Sequence, residues 1–388
     1  MAGEDPPRTA DAVVVGGGVM GASTAYHLAQ RGVKDVALLE REPFLGQMST
    51  GQCAGGIRHQ FSTEINVRLS IESIRMMERF PDELGQDVGL KLCGYLFLLT
   101  REEDLPTFRD NVALQHRLGI ATRWLEPGDC ADVVPELDLE GVLAGTINDR
   151  DGLADPSSVV QGYASGARRL GVSILTDTPA TGIRVEGGRI SAVETPKGAI
   201  ETPVVVNACG AWAPQLGRMV GVDIPIQPIR RQVIVTAPIP ELRPDFPFVI
   251  FFADSLYFHR EGLGILTGQS NNAETPGFKL DVDPEWEARH MEAAVRRFPL
   301  LGEAGFLTNW AGLYEVTPDA HPLLGRVPQV DGFYVMAGFS GHGFMHGPVA
   351  GLLMAEEIVD GRARTVDIDA FRLDRFASGD LHPEYNVI

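Results

Sequence analysis

One stretch near the start constrains the fold more than any other: Asp11 to Arg41, DAVVVGGGVMGASTAYHLAQRGVKDVALLER. Its order is an apolar strand at Ala12 to Val15, the pattern G-x-G-x-x-G at Gly16, Gly18 and Gly21, a helix over Val19 to Gln30, and a second strand ending at Glu40. Each part has a physical task. Gly16 permits a tight turn, Gly18 lets backbone N–H groups approach a pyrophosphate at the positive helix end, and Gly21 allows close packing of helix on strand. Glu40 stands 19 residues beyond Gly21, where an acidic side chain accepts hydrogen bonds from an adenosine ribose. With both strands, the helix and the acidic residue in place, the stretch predicts a dinucleotide site.

The choice of dinucleotide rests on what accompanies this motif. A disulfide-reductase type of flavoprotein would carry a second complete G-x-G-x-x-G and a paired-cysteine motif, and neither appears. After Arg41, the segment FLGQMSTGQCAGGIRHQF supplies Ser49, Thr50, Gly51, Gly55 and Gly56, a small-residue loop that lets a cofactor run past backbone. An elongated ligand touching several loops suits FAD better than NAD. Arg41, Ser49, Thr50, Gly55 and Gly56 therefore join Gly16, Gly18, Gly21 and Glu40 as expected cofactor residues.

Composition sets the class around that site. A chain of 388 residues with 44% apolar residues is long enough for two domains with a sizeable core. The formal charge of -19 opposes a nucleic-acid partner or an anionic membrane surface, since both reward basic patches. The start, MAGEDPPRTADAVVVGGG, has no basic region followed by a long apolar segment, so neither a signal peptide nor a membrane span is expected. Cys53, Cys93, Cys130 and Cys209 lack metal-type or redox-pair spacing, which favours buried thiols in a reduced, cytoplasmic compartment and no metal.

Late in the chain, AGFSGHGFMHGP, from Ala337 to Pro348, concentrates glycines between two apolar runs. Ahead of it, Gly332 to Ala337 has the β-branched and aromatic character of a buried strand. Behind it, Val349 to Ile358 repeats apolar residues at helical spacing. The pattern reads as strand, glycine-rich turn and helix start. Taken alone, such a turn is more commonly explained by packing than by a ligand.

The pieces VVVGGGVMGASTAYHLAQRG, STGQCAGGIRHQFS, VVVNACGAWAPQLG, GLYEVTPDAHPLLG and AGFSGHGFMHGP occur in this order over nearly the whole chain. Together they resemble the D-amino-acid oxidase superfamily of FAD-dependent amine oxidoreductases, in the branch of sarcosine oxidases, glycine oxidases and proline dehydrogenase β subunits. The resemblance implies an α/β (α+β) two-domain fold. A Rossmann-like FAD-binding domain would come from residues 1–80, 145–220 and 320–388, and a β-sheet-based substrate domain from 81–144 and 221–319. A helix near Ser157 to Leu170 and strands at Val172 to Leu175 and Val204 to Asn207 fit the middle FAD piece.

By the same resemblance, Ala180 would offer its backbone to adenine, and the turn from Asn207 through Gly210 to Trp212 would pack near the pyrophosphate. The turn holding Gly338, Gly341, His342, Gly343, Phe344 and Met345 would pass beneath the isoalloxazine, with the following helix aimed at the pyrimidine end of the ring. Backbone N–H groups there would stabilise developing negative charge. His342 and His346 are read as structural or supporting groups, since their spacing with Met345 yields no metal set.

Amine oxidation by flavin needs orientation and electrostatics from the protein, and neither nucleophile nor metal. Arg58, in GGIRHQF, matches the carboxylate-binding arginine of monomeric sarcosine oxidases; its alternative is a surface or FAD-phosphate arginine. Tyr257 matches a tyrosine of the substrate pocket, and Tyr314 is a second candidate at a position where glycine and D-amino-acid oxidases carry their carboxylate arginine. His59 and His259 are polar liners or core histidines, and Met345 completes the set of catalytic-site candidates.

Gly312 and Gln52 stand where relatives tether flavin through cysteine or histidine, so noncovalent FAD is expected. Leu266 and Met345 replace two active-site lysines, one of which activates oxygen in sarcosine oxidases, and this implies a roomier, less charged pocket. Three functions follow from the resemblance. The first is oxidation of an N-substituted glycine or related secondary amine or amino acid to an imine, hydrolysed to a carbonyl compound such as glyoxylate and an amine, with O2 reduced to H2O2. The second is a dehydrogenase passing electrons to another acceptor. The third is a non-catalytic flavoprotein assembly factor. Partners would be the small-molecule amine and O2, with a homo-oligomer or partner subunit left open.

Overall fold

The computed structural model describes residues 5–387; Met1 to Glu4 and Ile388, which the expected domain bounds include, lie outside the described residues. Strand Ala12–Val15, helix Val19–Gln30 and strand Val36–Leu39 form at the expected places. Ala12–Val15 pairs in parallel with Val36–Leu39 on one side and with Val205–Asn207 on the other. The sheet they begin has six strands, in the order Leu323–Arg326, Phe333–Ala337, Val205–Asn207, Ala12–Val15, Val36–Leu39, Ser173–Leu175. Only the Leu323–Arg326 edge runs antiparallel to its neighbour.

Alternation along each strand divides two cores. Val14, Leu38, Val206 and Met336 face helices Val19–Gln30, Glu64–Leu84, Pro156–Arg169 and Gly343–Asp360. Val13, Val15, Leu39, Val205 and Val335 face a three-stranded antiparallel meander over residues 182–201, packing with its Ile190, Val193 and Ile200. The strands expected at Val172 and Val204 each begin one residue later. The helix expected from Ser157 runs Pro156–Arg169, because Asp155 caps it by accepting from Ser158 N at 2.6 Å and Pro156 opens its first turn.

The final long helix departs further from expectation. It starts at Gly343, with Pro348 inside it, and not at Val349. Proline ordinarily marks a boundary, but here tertiary packing overrides it. Ser23 Oγ donates to the Pro348 carbonyl at 3.0 Å. Side chains added at Gly347 and Gly351 would run into Val19 and Ser23, so these glycines let the first and last long helices lie against each other.

The second sheet has eight strands, ordered Phe306–Val316, Gln227–Thr236, Gly264–Gln269, Leu256–Glu261, Phe248–Phe251, Tyr95–Leu99, Ala144–Asn148, Arg123–Leu125. It is antiparallel except where Phe248–Phe251 meets Tyr95–Leu99. Leu96, Leu98, Val249, Phe251 and Phe258 pack with Cys130, Ala294 and Phe298 on one face. The period of two then puts Tyr95, Phe97, Phe248, Ile250 and Tyr257 on the other face. That face looks towards the C-terminal ends of the parallel strands, where open α/β sheets place their ligands.

Candidate active site

A cleft of about 330 Å³ is lined by Val15–Met20, Leu39–Arg41, Gly46–Thr50, Thr178–Ala180, Ala208–Gly210 and Leu313–Glu315, and it reaches Trp212, Gly341, Gly343 and Phe344. Seven glycines bring bare backbone to its wall: Gly16, Gly17, Gly18, Gly46, Gly210, Gly341 and Gly343. Gly16 has φ +110°, and a Cβ there would lie 2.7 Å from the Ala208 carbonyl carbon. A Cβ on Gly21 would strike the Gly16 carbonyl, and one on Gly18 would lie 3.0 Å from Thr50 Oγ1. Helix Val19–Gln30 has no acidic residue in its first turn and no side-chain cap from Gly18. Gly18, Val19 and Met20 bring the positive end of this helix to the cleft wall, where backbone N–H groups suit a pyrophosphate.

The side chains that are present fix this backbone. Thr50 Oγ1 accepts from Val19 N at 3.2 Å, and Glu40 accepts from Gly17 N at 2.7 Å and Glu42 N at 2.8 Å. Glu40 is thus held on the wall with acceptor lone pairs to spare. Trp212 lies between Phe278, stacked at 5.2 Å, and Arg41, whose guanidinium carbon is 3.9 Å from the ring centroid. Cys209 donates to Val15 O at 3.3 Å. Burial pushes the Cys209 and Cys53 thiols up to about 12, so both stay protonated and unreactive. These groups fit an elongated dinucleotide, with donors for phosphate, an acceptor for ribose and bare backbone along the remainder.

Beyond Cys53, Tyr314, Gly341 and Phe344, which it shares with the cleft, lies a second cavity of about 80 Å³. Tyr95, Phe248, Tyr257, Arg58, His342, Met345 and Val387 form much of its wall. Tyr95 and Phe248 stack with centroids 4.2 Å apart and planes 7° from parallel. Gly56 is bare because this pair fills its side-chain space. Tyr257 is paired across strands with Gly268, whose missing side chain leaves room for the phenol ring, and Tyr314 lies over Gly341 in the same way. The bare backbone of the late turn thus makes room for the protein's own ring as well as for a ligand.

Arg58 is the cation of this cavity, 3% exposed, with its guanidinium carbon 3.8 Å from the Phe61 ring centroid. It donates to two backbone carbonyls, those of Gln60 and Asn386. Among the described residues no carboxylate forms an ion pair with it. Burial lowers its pKa, against the pull of Tyr95, Glu384 and Asp151, yet an arginine remains charged. A buried, planar cation that no described carboxylate neutralises is suited to an incoming carboxylate.

The two histidines of the turn are neutral. Burial lowers both, and the Arg58 charge lowers them further. One proton arrangement satisfies every contact: His342 Nε2–H donates to Ala320 O at 3.0 Å, His346 Nδ1–H to His342 Nδ1 at 3.2 Å, and Ser70 O–H to His346 Nε2 at 3.0 Å. This chain supports the start of helix Gly343–Asp360, where Gly343 and Phe344 present the helix end to the junction of the two cavities.

The expected residues divide as follows. Gly16, Gly18, Glu40, Arg41, Ser49, Thr50, Ala180, Gly210, Trp212, Gly341, Gly343 and Phe344 stand on the cleft wall. Gly55, Gly56, Arg58, Tyr257, His342 and Met345 line the small cavity, and Tyr314 lines both. Gly21 and Gly338 are on neither wall; Gly338 N donates to Glu315 at 2.9 Å. His59 is also absent from the walls, its Nδ1 being 2.6 Å from buried Asp151. His259 is buried against Phe248, and Leu266 packs with Val233 and Val235.

Tyr95, Phe248, Glu315 and Val387 were not anticipated. Strand alternation could have found the two aromatics. Glu315 carried no signal, although it stands on the cleft wall and accepts from Gly338 N behind it, and burial pushes its carboxyl up to about 7. Positions Gly312 and Gln52 face each other, since a Cβ on Gly312 would lie 3.1 Å from Gln52 Cβ.

Residues 11–357 match the family described as "FAD dependent oxidoreductase". The chain is 31% identical to mitochondrial dimethylglycine dehydrogenase of Rattus norvegicus over 92% of its own length, and it spans 44% of that protein. It is 28% identical to sarcosine oxidase subunit beta of Rhodobacter capsulatus, with 99% of this chain and 92% of the relative covered. L-proline dehydrogenase from P. horikoshii superposes with a TM-score of 0.91 at 35% identity, covering 97% of this chain and all of that one. The chain belongs to the FAD-dependent oxidoreductase family and shares the two-sheet fold of the proline enzyme.

Proposed function

We propose that this chain oxidises an N-substituted glycine or a related secondary amine or amino acid to an imine, which water splits to a carbonyl compound such as glyoxylate and an amine, with O2 becoming H2O2. The observation that carries the reading is Arg58, buried on the wall of a small aromatic cavity, bonded to the Gln60 and Asn386 carbonyls and paired with no carboxylate among the described residues. The relatives named for dimethylglycine, sarcosine and proline support the same substrate class. We read the six-stranded sheet with its helices as the cofactor unit and the eight-stranded sheet as the substrate unit.

FAD, bound in the cleft through Gly16–Val19, Glu40 and Ala180, supplies the two-electron acceptor. The chain supplies placement. Arg58 holds the substrate carboxylate through a charge-assisted fork, and Tyr95, Phe248 and Tyr257 wall the carbon skeleton. Tyr257 and Tyr314 have raised pKa values, chiefly from burial, so both remain protonated hydrogen-bond donors. The end of helix Gly343–Asp360 stabilises negative charge at the cavity junction. Attachment is noncovalent in this reading, since Gly312 and Gln52 offer no nucleophile and the Cys53 thiol stays protonated. Acid precipitation should then leave the yellow colour in the supernatant.

A dehydrogenase using another acceptor is the second reading. It is favoured by the dehydrogenase relatives and by Leu266 and Met345 at the lysine positions. Anaerobic flavin bleaching against N-alkylglycines, sarcosine, glycine and proline, followed by air, tests both. Bleaching by the N-substituted acids with rapid return of colour supports the oxidase. Bleaching with slow return supports the dehydrogenase, and no bleaching by any of them defeats the substrate class.

A further inference from the structure

The segment after Pro383 packs on the start of helix Glu64–Leu84, and its last described residue, Val387, lines the small cavity. Its residues alternate, with Glu384 and Asn386 buried and Tyr385 exposed. Glu384 is seated on the start of helix Glu64–Leu84, whose N-cap Thr63 makes no capping bond of its own. The carboxylate accepts from Ser62 N at 2.8 Å, Thr63 N at 3.1 Å, Thr63 Oγ1 at 2.7 Å and Asn66 Nδ2 at 2.9 Å, and it also takes the Ser62 hydroxyl. An anion at the positive end of a 21-residue helix is well placed. Burial alone would raise the Glu384 pKa, but these hydrogen bonds outweigh it and lower the pKa.

From that clamp the chain continues to the site. Asn386 N donates back to Glu384 at 2.9 Å, and its side chain accepts from Asn111 at 3.2 Å and donates to Gln60 O at 3.3 Å. The backbone carbonyl of Asn386 takes one arm of the Arg58 guanidinium, and Gln60 O takes another. Val387 then closes part of the cavity wall.

We propose that residues Glu384 to Val387 form a strap that sets substrate specificity: Glu384 anchors it, the Asn386 carbonyl orients Arg58 towards the substrate carboxylate, and Val387 limits the substrate's size. The inference rests on the reading of Arg58 as carboxylate anchor. Glu384 and Asn386 are positioning residues here, because they act through Arg58. The wall function of Val387 is independent of the clamp.

The test uses holoenzyme and two sets of variants. In a series of N-alkylglycines of rising length, Val387→Phe should lower kcat/KM for the longest relative to sarcosine by about tenfold or more, and Val387→Ala should shift the ratio the other way. Glu384→Ala should weaken a non-reacting carboxylate ligand, acetate read by flavin absorbance, by about tenfold, with partial rescue in Glu384→Gln. It should raise KM more than it lowers kcat, while oxidation of the matching amine without a carboxylate stays unchanged. If Glu384→Ala does not fold, the Val387 series decides. Equal effects of the Val387 variants on every chain length would overturn the proposal. So would a Glu384→Ala protein that weakens acid and amine alike. Arg58→Ala separates the two readings: unchanged acetate affinity there defeats the carboxylate anchor itself, whereas lost affinity with silent strap variants defeats the strap alone.

Discussion

The cleft and the small cavity share Cys53, Tyr314, Gly341 and Phe344, but they are made of different material. The cleft is built around main chain at turns on the ends of parallel strands and at the N-terminus of a helix, where glycines keep the backbone bare. The cavity is mostly side chain, drawn from the Gly56 loop, four strands of the eight-stranded sheet, the late turn and the strap. Backbone geometry can bind any dinucleotide of one shape, and it tolerates no added atoms. A wall of side chains can be retuned one residue at a time. The first region should therefore fail by losing cofactor, and the second by changing which molecule is oxidised.

The largest expected effect belongs to the cleft. Gly16→Ala combines a left-handed backbone with a Cβ driven into the Ala208 carbonyl, a cost of roughly 4 kcal/mol. Purified protein should contain little FAD and melt at a lower temperature. Full flavin occupancy with an unchanged Tm would break the comparison at its root.

Glu315 sharpens it, being a side chain in a backbone wall. Its carboxyl is raised from 4.5 to about 7 by burial, with the Gly338 and Phe339 N–H groups pulling the other way. A raised carboxyl contributes stability that is full below about pH 4.5 and lost as pH rises through about 7. The loss is at most about 3 kcal/mol, less where solvent in the cleft screens it. Between pH 5 and 8 the Tm of Glu315→Gln should therefore fall less than that of the parent protein. Parallel curves would show that Glu315 is ionised throughout.

Glu40→Ala should have the smallest effect, weakening FAD by roughly 2 kcal/mol, or about 30-fold in Kd, because the wall remains while one charged acceptor goes. Equal flavin occupancy at limiting FAD would count against a ribose contact.

The same difference governs what could be read from sequence. The cleft was legible because Gly16, Gly18, Gly21 and Glu40 act through local backbone, and local backbone leaves fixed spacings. Arg58, Tyr257 and Tyr314 became legible only through resemblance, since nothing near them in sequence shows that they meet. The start of the last helix was misplaced because Pro348 reads as a boundary, whereas Ser23, Gly347 and Gly351 show that helix packing absorbs it. His59 looked like a site residue beside Arg58, but its backbone N–H and ring nitrogen are both held by buried Asp151. The Glu384 clamp had no signal, because its six donors lie on or beside a helix more than three hundred residues earlier, or two residues on at Asn386.

The central claim is that Arg58 selects an acid, and one comparison tests it most directly: anaerobic flavin reduction by an N-alkylglycine and by the matching amine without a carboxylate, in the parent protein, Arg58→Ala and Arg58→Lys. Arg58→Ala should keep its FAD and lose roughly 2 to 5 kcal/mol of transition-state stabilisation for the acid, with the amine unaffected. Arg58→Lys should do nearly as badly, because a point ammonium cannot reproduce the planar fork. If Arg58→Ala sheds flavin, or slows acid and amine equally, Arg58 serves the cofactor or the fold, and the substrate carboxylate binds elsewhere.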